Sequence, residues 1–479
     1  MEKRLLQLEQ SARRLEPTPQ QRKQAQQAVL QYTEAFLNQL ENAKTYNPVN
    51  DNGIGLLNTP ISEKSIGIKK AIKLIKHNVD RPALNPASGG HLGYIPGGGI
   101  YYSALGDYLA DVTNRYAGVF YASPGAVRME NMLIRWAAQL MGFPNTAAGN
   151  LTSGGSISNL IAICTARDAQ KITANKLTTS VIYLTQQAHH SVQKAIRIAG
   201  LGECVFRYVE MDPQFRMQAP ALHKAIKEDK KNGLNPFLII ASAGTTDTGA
   251  IDPLTEIAAV ARKTKCWYHI DAAYGGFFML TREGKKKMQG IELADSVTAD
   301  AHKSLFLPYG TGIVLVKNAA QLYKTFFYTA SYMQDALEQT EELSPADLSP
   351  ELTRHFRGMR LWLPLQLHGV KPFRDCLEEK LLLAKYFHKK IKALGFESEV
   401  EPELSVVVYR FVPESGSADE FNKKLCAAVQ RDGRIFISST IINGNYTLRF
   451  ACLVFRTHKK QVDQLLNIIS REKRKLEKR

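Results

Sequence analysis

The sequence predicts an α/β protein. Its main part is a mostly parallel sheet with helices on both faces, with a helical segment in front and a smaller α+β unit behind. Two observations carry this. Between about Asn85 and Tyr328, short β-rich runs alternate with helical patterns, as at 180–184, 237–241, 266–270 and 312–316. That alternation builds parallel sheets through crossover helices. Over 329–350 the composition turns polar and acidic, with Ser-Pro steps at Ser344 and Ser349, and a second pattern of helices and strands follows it.

Taken in order, residues 1–85 form a helical N-terminal segment. The stretch from Pro19 to Ala43 is rich in Gln, Ala and Leu at helical spacing. Residues 86–345 form the large domain, and ligands of such sheets bind at the carboxyl ends of the strands. The stretch from Thr329 to Pro350 reads as a long exposed loop, a place where function concentrates. Residues 346–479 form the small domain. Its strands are expected at 404–411, 434–437 and 446–452, before a last helix over 458–478.

Composition narrows the function classes. Hydrophobic residues make up 44% of the 479 and charged residues 22%, which supplies a large core. Apolar runs such as Pro236 to Ala241 fall far short of the roughly 20 residues that cross a bilayer, so no membrane partner is expected. The stretch Met1 to Glu9 is charged and lacks an apolar centre, so no secretory signal is expected. Six cysteines (Cys164, Cys204, Cys266, Cys376, Cys426, Cys452) are scattered without a CxxC or metal-like cluster. They read as reduced thiols of a cytoplasmic protein that binds no metal. The net charge of +17 is spread along the chain without a nucleic-acid motif. It reads as solvated surface that favours anionic ligands, with no nucleic-acid partner.

Four pieces carry chemistry. Residues Leu151 to Leu160 place Gly154, Gly155 and Ser156 at the start of a helical run, where backbone N–H groups and the positive helix end suit a phosphate. His189 follows the strand-like 181–184 and offers a flat ring to a cofactor. Asp271 sits among Ile270, Ala272 and Ala273, an apolar setting in which a carboxylate needs a partner. Lys303 follows Asp300-Ala301-His302 and precedes an apolar run, a setting that favours a free amine. Each has a plainer explanation when taken alone: a helix start, a surface histidine, a structural salt bridge, a strand-end lysine. Together, a lysine and a carboxylate at strand ends are what pyridoxal phosphate requires. The lysine binds the aldehyde, and the carboxylate keeps the pyridine nitrogen protonated.

In this order the pieces resemble the group II pyridoxal-phosphate-dependent amino acid decarboxylases, in particular the aromatic-L-amino-acid decarboxylases. The matching stretches are Ser123-Pro124 with Glu130, Thr152 to Ser156, Gln187 to His189, and Gly244 to Thr246 with Gly249. They continue with His269 to Gly276, Asp300 to Lys303, and Phe356 to Trp362. The resemblance implies a fold-type I architecture with a seven-stranded-type sheet. It also implies a homodimer with active sites at the subunit interface and pyridoxal 5'-phosphate as cofactor. It makes Lys303 the Schiff-base lysine, Asp271 the partner of the ring nitrogen and His189 the stacked residue. Gly154, Gly155 and Ser156 become phosphate contacts, with Thr246, Ala273, Asp300 and His302 near the cofactor. Tyr332 matches the family's catalytic loop tyrosine, with Tyr328 as the alternative.

The implied reaction converts an L-amino acid, by preference an aromatic one, to its amine and CO2. Tyr94, Ile95 and Tyr116 are the expected substrate-pocket residues. Gly97 to Gly99 and Gly118 depart from the aromatic enzymes and are expected to leave room there. Decarboxylation of glutamate, aspartate or 2,4-diaminobutyrate stays open. So do an aldehyde synthase on the same fold and, from another class, a catalytically silent binding protein.

Overall fold

The computed structural model describes residues 1–48, 53–328 and 342–478. A two-stranded pair, β1 (Tyr46–Asn47) and β2 (Ala83–Leu84), follows the N-terminal helices. The central sheet has seven strands: β3 (Ala148–Thr152), β4 (Ser180–Leu184), β5 (Val205–Tyr208), β6 (Asn235–Ser242), β7 (Trp267–Asp271), β8 (Ser296–Asp300) and β9 (Gly312–Val316). Their order is β3-β9-β8-β7-β6-β4-β5. Only β9 runs antiparallel to its neighbours; the remaining pairs are parallel. The connection from Asp300 to Gly312 is too short for the crossover that a parallel β9 would need.

The near-continuous apolar character of these strands follows from coverage on both faces. On one face, Leu133 and Ile134 of the helix Pro124–Leu140 pack with Leu222 and Ile226 of Ala219–Lys231 and with Leu254 and Ile257 of Leu254–Thr264. On the other, Ile161 and Ile163 of Gly155–Ala169 pack with Val192 and Ile196 of His190–Ile198 and with Leu322 of Ala319–Phe326. All six parallel strands therefore deliver their carboxyl ends to one edge, and the loops after five of them carry the candidate residues.

The C-terminal unit differs in detail from expectation. Its sheet is β10 (Val406–Tyr409), β11 (Ser438–Ile442) and β12 (Asn445–Ala451), antiparallel in the order β10-β12-β11. The strand expected at 434–437 lies one step later, at β11. Asn443 and Gly444, both with positive φ, make the tight hairpin turn that sets the β11–β12 register. Phe436 instead pairs with His91 in an isolated bridge. The helix Lys371–Ala393 ties the two cores together. Phe373, Leu377 and Leu381 belong to the central core, while Phe387 and Ile391 belong to the C-terminal one.

The exposed loop expected over 329–350 is also corrected where it is described. Pro345, Ala346, Leu348 and Ser349 are buried. Asn150 Nδ2 donates to the Pro345 carbonyl at 2.7 Å, and Ala346 N–H to the Gly118 carbonyl at 3.0 Å. Pairing its backbone with buried groups draws this short segment into the core despite its polar composition.

Glu130 has a structural role. Arg354 Nη2 lies 2.8 Å from Glu130 Oε2, with both side chains buried, and Gly358 N–H donates to Glu130 Oε1 at 3.0 Å. Arg354 also donates to Asn150 Oδ1 and the Leu151 carbonyl, at the strand that leads into the Gly154 loop. Removing one partner leaves the other buried and uncompensated. Arg354→Leu should therefore cost about 3–5 kcal/mol in denaturant unfolding, and the double variant with Glu130→Leu should recover part of it.

His91 couples stability to pH. Its ring is buried, stacked on Phe436 at 5.9 Å, and its Nδ1 finds no hydrogen-bond partner. Burial pushes it down from 6.5 to about 4. A histidine depressed in the folded state stabilises fully above its unfolded value and loses that contribution as pH falls toward the folded one. Between pH 6.5 and 4 the wild type should lose up to roughly 3 kcal/mol through this group. His91→Phe should flatten the stability–pH curve over that window.

Candidate active site

Five parallel strands end at, or a few residues before, the lining of one cavity of about 370 Å³. β3 ends at Thr152 and turns through Ser153 and Gly154 into the helix Gly155–Ala169, whose first turn has no side-chain cap. Gly155 must lack a side chain, because a Cβ there would stand 3.0 Å from Asp300 Oδ2 and 3.2 Å from the Ala273 methyl. Ser156 lines the same wall. An uncapped helix start opening on a polar cavity suits an anion.

β4 leads to Gln187 and to His189, which caps the helix His190–Ile198. Its Nδ1 accepts from Ser191 N–H at 3.3 Å and lies 2.7 Å from Ser191 Oγ. Burial pushes the His189 ring down, against the pull of Asp271, which favours the neutral form of this flat ring. β6 leads to Gly244, Thr245 and Thr246. The Thr246 carbonyl accepts from Arg449 Nη2.

β7 ends at Asp271, which is 8% exposed. Two donors hold its carboxylate: Asn159 Nδ2 on Oδ2 at 3.0 Å, and Ala273 N–H on Oδ1 at 3.1 Å. β8 ends at Asp300, followed by a single helical turn, Ala301–Ser304. Lys303 Nζ stands 3.1 Å from Asp300 Oδ2. His302 Nδ1 bonds the Thr311 carbonyl at 2.9 Å, and burial pushes its ring down. The structure thus brings Gly154, Gly155, Ser156, His189, Thr246, Asp271, Ala273, Asp300, His302 and Lys303 to one cavity.

Other expected residues lie elsewhere. Tyr332 lies outside the described residues, and Tyr328 is exposed. Tyr94 packs on Phe436, and Ile95 packs against the central core; neither lines the cavity. Tyr116 donates to the Leu352 carbonyl at 2.9 Å. The room expected at Gly118 and Gly97 is already taken. A Cβ on Gly118 would come within 2.8 Å of the Tyr116 ring, and one on Gly97 within 3.0 Å of the Tyr309 ring. Tyr116 occupies the space that an aromatic residue at 118 would fill.

Two residues escaped the sequence reading. Asn159 lies one turn into the helix Gly155–Ala169 and touches Asp271, 112 positions away; only its place in the quoted glycine stretch hinted at it. Arg449, on β12, is buried and donates to the Asp247 and Thr246 carbonyls and to Ser438 Oγ. No local pattern marks it.

The cavity suits a flat, anionic cofactor. It joins an uncapped helix start, an oriented carboxylate and a lysine on separate strand ends. Asp300 Oδ1 and Gln187 Oε1, in its wall, are buried without hydrogen-bond partners among the described residues, so it has polar bonding capacity to spare. These features define an α/β enzyme of the pyridoxal-phosphate class. Residues 88–412 match the pyridoxal-dependent decarboxylase conserved domain, and the chain belongs to that family. It is 33% identical over 416 residues to an aromatic-L-amino-acid decarboxylase of Bacillus atrophaeus, covering 86% of each chain. It is 28% identical over 425 residues to a phenylacetaldehyde synthase of Petunia hybrida, covering 84% of each. Its fold matches that of Oryza sativa TDC with PLP and tryptamine with a TM-score of 0.91 at 22% identity, covering 96% of this chain and 99% of that one.

Proposed function

We propose that this pyridoxal-phosphate-dependent decarboxylase removes the α-carboxylate of an aromatic L-amino acid as CO2 and releases the amine. The observation that carries the reading is the convergence of Lys303, Asp271 and His189 on one cavity. Lys303 would hold the cofactor through its side-chain amine. Asp300, 3.1 Å away, orients that side chain. Asp271, fixed by two donors, keeps the ring nitrogen protonated. His189 presents a neutral face to the ring, with Ala273 small enough to allow close approach. Gly154, Gly155 and Ser156 hold the phosphate, and Thr246 and His302 complete the wall. Bound there, pyridoxal phosphate supplies the sink for the electrons left on Cα when the carboxylate departs. Tyr332 is the proposed donor that returns a proton to Cα, through His189.

Two observations favour an aromatic substrate. Tyr116 restores aromatic surface where Gly118 has none, and all three Arg449 nitrogens are engaged by protein acceptors. Arg449 is thereby tied to backbone carbonyls and Ser438 and does not line the cavity. The likeness to an aromatic-L-amino-acid decarboxylase supports the same choice. We also propose a homodimer whose interface shapes the substrate pocket with Tyr94, Ile95 and Tyr116, in a cytoplasmic setting suited to six free thiols. The helices Glu2–Ala12 and Pro19–Gln39 bury no residue in the single chain and expose Leu5, Leu6, Leu8, Val29 and Leu30. A second copy would cover them. Sedimentation should give a particle of two chains; a monomer at working concentration would contradict this.

A second reading, an aldehyde synthase, is favoured by the likeness to phenylacetaldehyde synthase. One assay separates the two. Cofactor-loaded protein is incubated with each of the twenty amino acids, dopa, ornithine and 2,4-diaminobutyrate, and CO2, amine, ammonia and peroxide are measured. The proposal expects CO2 with equimolar amine from aromatic substrates. Ammonia and peroxide would favour the synthase, and absence of CO2 throughout would overturn both.

A further inference from the structure

Beneath the cavity lies a line of buried polar side chains that the proposed reaction does not use. Trp267 Nε1 meets Ser296 Oγ at 2.9 Å, and Ser296 Oγ meets His269 Nδ1 at 2.9 Å. His269 Nε2 meets Asn159 Oδ1 at 3.1 Å, and Asn159 Nδ2 meets Asp271 Oδ2 at 3.0 Å. Asn159, His269 and Ser296 are fully buried. A core made only for packing would place apolar side chains here, since buried polar groups must be paired to be tolerated.

The direction of every bond follows from the chemistry of its two ends. The carboxylate of Asp271 only accepts, so the Asn159 atom facing it is the amide nitrogen. Asn159 Oδ1 then faces His269, so His269 Nε2 carries the hydrogen. His269 Nδ1 is therefore the acceptor, and Ser296 donates to it. Ser296 Oγ in turn accepts from the Trp267 indole, which only donates. All four bonds point one way, toward Asp271. Burial pushes His269 down to about 4, so it serves as a neutral donor at physiological pH. The Asn159 amide also reaches Ser191 Oγ at 3.4 Å, and that oxygen lies 2.7 Å from His189 Nδ1.

We propose that Asn159, backed by His269, Ser296 and Trp267, is a positioning residue that holds the Asp271 carboxylate ionised and aimed at the cofactor's ring nitrogen. Asn159 lies on the helix Gly155–Ala169, whose first turn forms the phosphate site, so one helix sets both ends of the cofactor. Directed donors in series polarise one another and strengthen the last bond, the one to the carboxylate. Without it, the proton shared between the ring nitrogen and Asp271 moves toward the carboxylate, and the ring becomes a poorer electron acceptor. This inference rests on the assignment of Asp271 to the ring nitrogen.

The test is 15N NMR of protein loaded with pyridoxal phosphate labelled at the ring nitrogen, in wild type, Asn159→Leu, His269→Leu, His269→Gln and Asp271→Asn. The ring-nitrogen signal of Asn159→Leu and His269→Leu should move toward the unprotonated position. For Asn159→Leu, kcat should fall about tenfold or more with KM within about twofold. His269→Gln keeps an amide donor toward Asn159 and should restore the wild-type signal. A wild-type signal in Asn159→Leu, or in His269→Leu should the former not fold, overturns the proposal. So does a His269→Gln signal equal to that of His269→Leu. If Asp271→Asn itself leaves the signal unchanged, the assignment of Asp271 fails instead.

Discussion

Lys303→Ala protein mixed with pyridoxal phosphate should show no absorbance band of lysine-bound cofactor, and its turnover should fall on the order of 10⁴-fold. The size of the effect follows from position. Lys303 lies in the single turn after β8, 24% exposed, with Nζ 3.1 Å from Asp300 and inside the cavity wall. Truncating this side chain would leave the cofactor held only by its phosphate and ring contacts. The unfolding midpoint should also fall, because Asp300, itself buried, loses its lysine partner. A cooperative unfolding transition with lost absorbance is therefore the expected pair of results. A retained band in Lys303→Ala would mean that another amine carries the cofactor.

Asp271→Asn should lower kcat/KM on the order of 10²–10³-fold while leaving the lysine-bound band in place, shifted in position. The amide is nearly isosteric and can still accept from Ala273 N–H, so the wall of the cavity survives. What is lost is the negative charge that Asn159 and Ala273 orient from below. A ring nitrogen facing a neutral amide is no longer kept protonated, and its capacity to accept electrons from Cα falls. Preorganised charge of this kind is usually the largest single catalytic contribution. Activity within about threefold of wild type would place the catalytic electrostatics elsewhere.

Much of this site was legible in the sequence, because its members sit at strand ends in short local patterns. Gly154 to Ser156 open a helix, His189 follows an apolar run, and Asp271 and Lys303 each stand among small or apolar neighbours. The order of these pieces carried the family resemblance, and the strands expected at 180–184 and 312–316 matched β4 and β9. Illegible features came from contacts distant in sequence. Asn159 meets Asp271 only because the helix Gly155–Ala169 packs across β7 and β8. Arg449 reaches Thr246 only because the C-terminal sheet docks beside the β6 loop. The Gly118 gap looked open because the Tyr116 ring that covers it is placed by a bond to Leu352. The shift of the second C-terminal strand to β11 had a local signal in Asn443-Gly444, the turn that sets its end. The segment 345–349 read as exposed because its polarity is local, whereas the partners that bury it, Asn150 and Gly118, lie about two hundred residues upstream.

Cofactor attachment at Lys303 underlies every role proposed for this cavity. Its most direct test is borohydride reduction of the cofactor-loaded wild type, followed by proteolysis and mass analysis of the peptides. The account predicts one modified lysine, Lys303, bearing the reduced pyridoxyl phosphate group. Stoichiometric modification of any other lysine, with Lys303 unlabelled, would contradict it.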